Sequence, residues 1–159
     1  MKKNVFVLLF SGIALVGCNT KQKSTVDEVK EVVKQTEQIS FTLGKSYFVK
    51  NTFENKQVES LKIETQEAFD KVFSPAAVMG NSKELTKIDF NNSFVLAVIG
   101  VEVNKSTDFY VVSLKDRGEY LEFIYSYKEG DEELTFTTHP FFFIVVDKEH
   151  NKDVRFLTE

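Results

Sequence analysis

Residues 94–101, Phe94-Val95-Leu96-Ala97-Val98-Ile99-Gly100-Val101, form an almost unbroken apolar run. A strand with one wet face alternates apolar and polar side chains, so a solid run predicts a central strand buried on both faces. Residues 141–146, Phe141-Phe142-Phe143-Ile144-Val145-Val146, read the same way. Two such strands need cover on both sides. One side has a helix at hand in residues 66–73, where Phe69, Val72 and Phe73 share a face. Thr65 stands at its N-cap, Glu67 in its first turn, and Ser74-Pro75 stops it.

Further out, Tyr47-Phe48-Val49, Leu61-Lys62-Ile63 and residues 109–114, 134–138 and 154–157 are shorter strand candidates. In residues 120–127, Leu121, Phe123, Tyr125 and Tyr127 alternate with Glu122 and Ser126, which predicts a half-buried strand. Asp116-Arg117-Gly118-Glu119 and Lys128-Glu129-Gly130-Asp131 read as hairpin turns, Gly80-Asn81-Ser82 as a turn and residues 147–152 as a polar turn. The strand spacing favours antiparallel, meander-like pairing over βαβ crossovers. The prediction is an α+β, mainly β fold: a twisted antiparallel sheet or partly closed barrel with one short packed helix. The globular domain is placed at residues 41–159.

The N-terminal part reads differently. Lys2 and Lys3 precede residues 5–16, which carry no charge. As a helix at about 1.5 Å per residue that segment spans roughly 18 Å, short of a hydrocarbon core of about 30 Å. Residues 1–17 are therefore expected to be a targeting segment rather than a membrane span. Leu15-Val16-Gly17-Cys18 is similar to a bacterial lipobox, which implies cleavage between Gly17 and Cys18 and diacylation of the Cys18 thiol, usually with a third chain on the new amine. Two or three acyl chains give stable anchoring where one does not. Residues 19–24 read as a tether. Residues 25–38, with Val26, Val29, Val32 and Val33 on one side, read as a marginal N-terminal spacer helix, so residues 18–40 form the lipidated tether. Asn19, in place of the aspartate associated with inner-membrane retention, favours an outer membrane location if the envelope has one.

Composition narrows the function. The chain has 159 residues, 42% apolar and 13% aromatic, which suits one folded domain and argues against disorder. A single cysteine and two histidines predict no disulfide, no cysteine-based zinc cluster and no multi-histidine metal site. The formal charge of −4 becomes more negative by two if Lys2 and Lys3 are removed, which argues against nucleic acid as a partner. The sequence contains no GxSxG, HExxH, Walker loop or GxGxxG, and Cys18 is spent on lipid. His139 reads as a base or contact residue, or more plainly as an exposed strand-edge residue before Pro140. Asp131-Glu132-Glu133 lacks the spacing of a calcium loop and reads as a solvated hairpin tip. The aromatics of the second half read as core before they read as a ligand strip. The expectation is a protein without catalytic residues or cofactor.

Three stretches carry a family resemblance. Ile88-Asp89-Phe90 followed by Phe94-Val95-Leu96-Ala97-Val98-Ile99-Gly100 resembles an "apolar-Asp-Phe, apolar strand, Gly" signature. Residues 65–73 are similar to the short helix that precedes it, and Thr138-His139-Pro140-Phe141 with Ile144-Val145 to the "Thr-x-Pro-aromatic … Ile-Val" strand that follows. The family is the domain named for the C-terminal part of PrcB, a lipoprotein accessory to a surface serine protease complex, and the resemblance covers about residues 45–157. Where the family often has Thr-Gly-Gly-Tyr, this chain has Ser106-Thr107-Asp108-Phe109-Tyr110, with neither glycine.

The resemblance implies an envelope lipoprotein that binds a protease as inhibitor or accessory subunit. An envelope scaffold and a glycan- or small-ligand-binding module are the alternatives. Expected contact loops are Asn104, Lys105, Ser106, Thr107 and Asp108; then Lys128, Glu129, Gly130 and Asp131; and His139 with Pro140. Such a loop would lie across a cleft as an extended strand. Arg117 would either fill an acidic specificity pocket or stand as a solvated turn residue.

Overall fold

The strand at the centre of the argument sits where its composition requires, between two strands of a sheet covered on both faces. The computed structural model describes residues 38–76 and 85–159. The expected signal peptide with its cleavage site at Gly17 and Cys18, the expected tether up to residue 37 and the expected turn Gly80-Asn81-Ser82 lie outside the described residues. The elements run β1 (Thr42–Leu43), β2 (Tyr47–Val49), β3 (Glu59–Ile63), α1 (Gln66–Val72), β4 (Phe73–Pro75), β5 (Ser93–Ile99), β6 (Val103–Asp116), β7 (Tyr120–Thr138), β8 (Phe141–Asp147) and β9 (Asp153–Thr158). A 3-10 turn at Lys148–His150 joins the last two.

The central sheet has the order β1-β8-β5-β3, with every pair antiparallel. β5 and β8 pair without a slip from Ser93↔Asp147 to Ile99↔Phe141. Alternation then sorts their side chains into two cores. Phe94, Leu96 and Val98 join Phe142, Ile144 and Val146 on one face, against Leu114, Leu121 and Phe123 of the outer strands. Val95, Ala97 and Ile99 join Phe143 on the other, against Val49, Phe69, Val72 and Phe73. Full burial of each large side chain contributes about 1.5–3 kcal/mol, so this sheet holds most of the driving force.

The second core is closed by α1 and the small β2-β4 sheet. Thr65 caps the helix as expected, its hydroxyl accepting from the Ala68 N–H at 3.2 Å. Phe69 meets Tyr47 and Phe143 edge-on at ring separations of 5.2 and 5.4 Å. The helix ends at Phe73, whose N–H still reaches the Phe69 carbonyl while its backbone is already extended. Pro75 disfavours helix at Ser74, and the chain continues as β4, a strand absent from the sequence reading. Asp89 of the family-like signature builds the turn before β5. Its carboxylate accepts from the Asn91 N–H at 3.0 Å and the Asn92 amide at 2.8 Å.

The first core is closed by a three-stranded sheet of order β6-β7-β9. The fold is thus mainly β with one α-helix among the described residues, and its twisted sheets stay open rather than closing into a barrel. Three expectations need correction. The central sheet is no meander: its two most apolar strands, far apart in sequence, take the middle because only there are both faces covered. β9 pairs with β7 in parallel, from Tyr120↔Asp153 to Tyr125↔Thr158, because it crosses to the other sheet instead of turning back beside β8. Lys128-Glu129-Gly130-Asp131 is no hairpin turn: it lies inside β7, a strand of 19 residues that includes the expected strand at 134–138. At the N-terminal end, Ile39 is buried in the first core and its N–H donates to the Leu114 carbonyl at 2.9 Å, so residues 38–40 are part of the folded body.

Candidate functional site

β5 ends at Ile99, and Gly100-Val101-Glu102 carries the chain into β6. β7 returns it to the same end at Thr138, from which His139-Pro140 leads into β8. The two connections are joined where the Gly100 N–H donates to the Pro140 carbonyl at 2.8 Å. Asn55, from the loop before β3, locks onto the same place. Its amide nitrogen lies 2.8, 3.3 and 3.1 Å from the carbonyls of Gln57, Ile99 and Gly100. Those carbonyls fix which end of the amide is nitrogen, so Oδ1 faces His139 Nε2 at 3.1 Å. An oxygen there can only accept, so Nε2 is the donor in this contact. His139 is half-buried, not the exposed edge residue expected.

Two clefts open here. The polar one, of about 470 Å³, is lined by Asn51, Phe53, Glu54, Asn55, Lys56, Glu102 and His139. Glu102 accepts the Thr137 hydroxyl at 2.5 Å. The other, of about 170 Å³, is mainly apolar: Val58, Gly100, Val101 and Pro140 line it together with Val103, Thr107, Phe109, Tyr127 and Glu129 of the β6–β7 ribbon. Gly100 is needed there, since a Cβ would stand 2.8 Å from the Pro140 ring and 3.3 Å from Phe109.

The ribbon is where the expected loops went. Asn104, Lys105, Ser106, Thr107 and Asp108 belong to β6, and Lys128, Glu129, Gly130 and Asp131 pass beside them in β7. The pairs Asp108↔Lys128, Thr107↔Glu129, Lys105↔Glu133 and Val103↔Thr138 hold them together, with register shifts on both sides of Lys105. More of β7 than of β6 lies between the last pairs, and the excess is taken up as bulges. That explains the misread turn: the glycine is used for close approach, its Cβ position lying 3.2 Å from Ser106 Cβ. Asp131, Glu132 and Glu133 are exposed along a strand, not at a hairpin tip. Phe123, Tyr125, Phe142 and Phe143 are core aromatics as expected, whereas Tyr110 and Tyr127 are each 49% exposed and Phe136 63%.

All of the expected contact segments therefore meet at one end of the sheets, with the exception of Arg117. Arg117 lies at the opposite end of the β6–β7 hairpin, in a turn where Gly118 takes a φ of 91°. Its Nε donates to Glu122 at 3.1 Å, and this hydrogen bond holds the guanidinium above its ordinary pKa. The sequence reading missed Asn55, Glu54, Val58 and Glu102. Glu102 had a signal, a carboxylate just past the glycine that ends the apolar run; the other three lie in a polar loop with no pattern of its own. Comparison of the chain with protein-family models found no match, and neither a curated protein nor a solved structure matched it.

Proposed function

We propose that this chain is a lipid-anchored, non-catalytic envelope protein that binds a protease, as inhibitor or accessory subunit, through the sheet end formed by the β6–β7 ribbon, Gly100 and His139-Pro140. One observation carries the reading: the segments expected from sequence to make contact converge around two adjoining clefts. Beside them run strand edges that pair with no further strand among the described residues. β6 is an edge strand of its sheet. Main-chain groups on a free edge are what a partner's extended segment pairs with. The resemblance of about residues 45–157 to the PrcB C-terminal domain supplies the protease as partner class, and the lipobox-like Leu15-Val16-Gly17-Cys18 supplies the anchor.

The test uses the intact lipoprotein in its own cells. A photo-crosslinking residue at Asp108 or Asp131 is expected to trap a protease of the envelope, and the same residue at Lys71 on α1 to trap none. The purified lipoprotein is expected to change that protease's cleavage rate. Traps that hold only non-proteolytic envelope proteins would favour a scaffold instead. Mass spectrometry of the processed chain should find Cys18 as a diacylated thioether, and an unmodified thiol would remove the anchor from the reading.

A further inference from the structure

The apolar cleft, the strand edges and the charge around them together describe an occupant. The cleft holds about 170 Å³, against about 150 Å³ for a dry cavity that takes a benzene ring, so it has room for one aliphatic or aromatic side chain. Its floor is Gly100 and Pro140, and its rim includes Val58, which is 41% exposed with nothing polar to gain from it. The polar cleft adjoins it through Gly100-Val101-Glu102 and His139-Pro140. Its carboxylates, Glu54 and Glu102, outnumber its one lysine, Lys56. The ribbon adds Glu129, Asp131, Glu132 and Glu133 against Lys105 and Lys128. In an extended peptide, side chains two apart point the same way at a separation of about 6.5–7 Å, which lets one strand serve two neighbouring clefts.

We infer that this end of the fold docks an extended basic segment of its partner, with one apolar side chain in the cleft over Gly100 and Pro140 and a lysine or arginine directed to Glu54 and Glu102. The inference rests on the reading of this end as the contact face, and it adds what that face recognises. Main-chain bonds to the free ribbon edges give the docking its direction, the apolar side chain gives it register, and the carboxylates select the charge.

The experiment measures fluorescence anisotropy of three labelled monomeric decapeptides with the full-length lipoprotein in neutral detergent. One repeats lysine-serine-valine-serine, so that lysine and valine share one face of the strand; one has glutamate in place of each lysine; and one has serine in place of each valine. The lysine–valine peptide is expected to bind at least about tenfold more tightly than either other peptide, a difference of about 1.4 kcal/mol, and to weaken as salt is raised. Val58→Arg, at an exposed rim position, is expected to abolish that advantage, and Glu54→Lys to reduce the preference for lysine over glutamate. Lys71→Gln on α1 is expected to change neither. Equal binding of the lysine and glutamate peptides, or undiminished binding by Val58→Arg, overturns the inference. If the peptides fail while crosslinks from Asp108 and Asp131 still trap a protease, the contact face stands and the basic-segment inference falls. If both fail, both fall.

Discussion

β5–β8 and β6–β7 are both antiparallel pairs, and they behave in opposite ways. The first runs from Ser93↔Asp147 to Ile99↔Phe141 in unbroken register, with β5 buried from Phe94 to its end. The second keeps register from Thr107↔Glu129 to Val111↔Tyr125 and slips at three places around that stretch. The difference is what the side chains lose by sliding. A slip of one residue in β5 would exchange Phe94, Leu96 and Val98 for Val95, Ala97 and Ile99 between two packed cores of different shape. A slip in the ribbon moves Glu132 or Thr137 from one watery position to another. Burial fixes register, and where burial ends the pairing can slip at little cost.

The contrast can be broken most directly with one residue type at two places. Phe143, 1% exposed and in contact with Tyr47, Phe69 and Phe73, should lose about 3–5 kcal/mol of unfolding free energy as Phe143→Ala in a denaturant titration. Phe136, 63% exposed in the ribbon, should change it by less than about 0.5 kcal/mol as Phe136→Ser. Similar losses from both would mean that the ribbon is as tightly built as the sheet.

Gly100 lies at the junction of the two regions. Gly100→Ala should cost about 1–3 kcal/mol, because the new methyl group meets the Pro140 ring at 2.8 Å. The same variant should raise amide exchange in the ribbon before it does so in β5. A smaller effect belongs to acid. Asp89 is held below its ordinary pKa by the Asn91 N–H and the Asn92 amide, and Glu64 by the Asn151 amide. Each contributes fully above its unfolded value of about 4, and the contribution is lost as pH falls through the lower folded value. The melting temperature should therefore fall below about pH 4, and less steeply in Asp89→Asn. The smallest effect is at Ser113, buried at a register shift of β6 with a hydroxyl that has no hydrogen-bond partner. Ser113→Ala should leave stability unchanged or raise it by up to about 1 kcal/mol, and a clear loss would point to a bound water.

Legibility in the sequence follows the same divide. The solid runs at 94–101 and 141–146 and the face Phe69, Val72, Phe73 declare burial, and burial is what organises the central sheet and α1. Lys128-Glu129-Gly130-Asp131 has turn chemistry, but a polar chain with a glycine satisfies a bulge as well as a turn, and only the partner strand decides between them. The direction of β9 is equally silent: Val154 and Phe156 alternate whichever way the strand runs. At the candidate site, His139-Pro140 and the two ribbon segments stand out in the sequence because they flank apolar strands, but they read there as loops and not as paired strands. Asn55 does not stand out, because its importance lies in three carbonyls that approach it only after folding.

One feature of the entry into the fold has a mechanical consequence. Ile39 is sunk into the first core, and its N–H and the Gln38–Lys115 bridge fasten it to the Leu114–Lys115 end of β6. Thr107, at the apolar cleft, lies several residues away along that strand at about 3.3 Å per residue. A force applied at Gln38 would be borne first by this buried bolt near the Arg117 turn, leaving the two clefts at the far end of β6 out of the line of load.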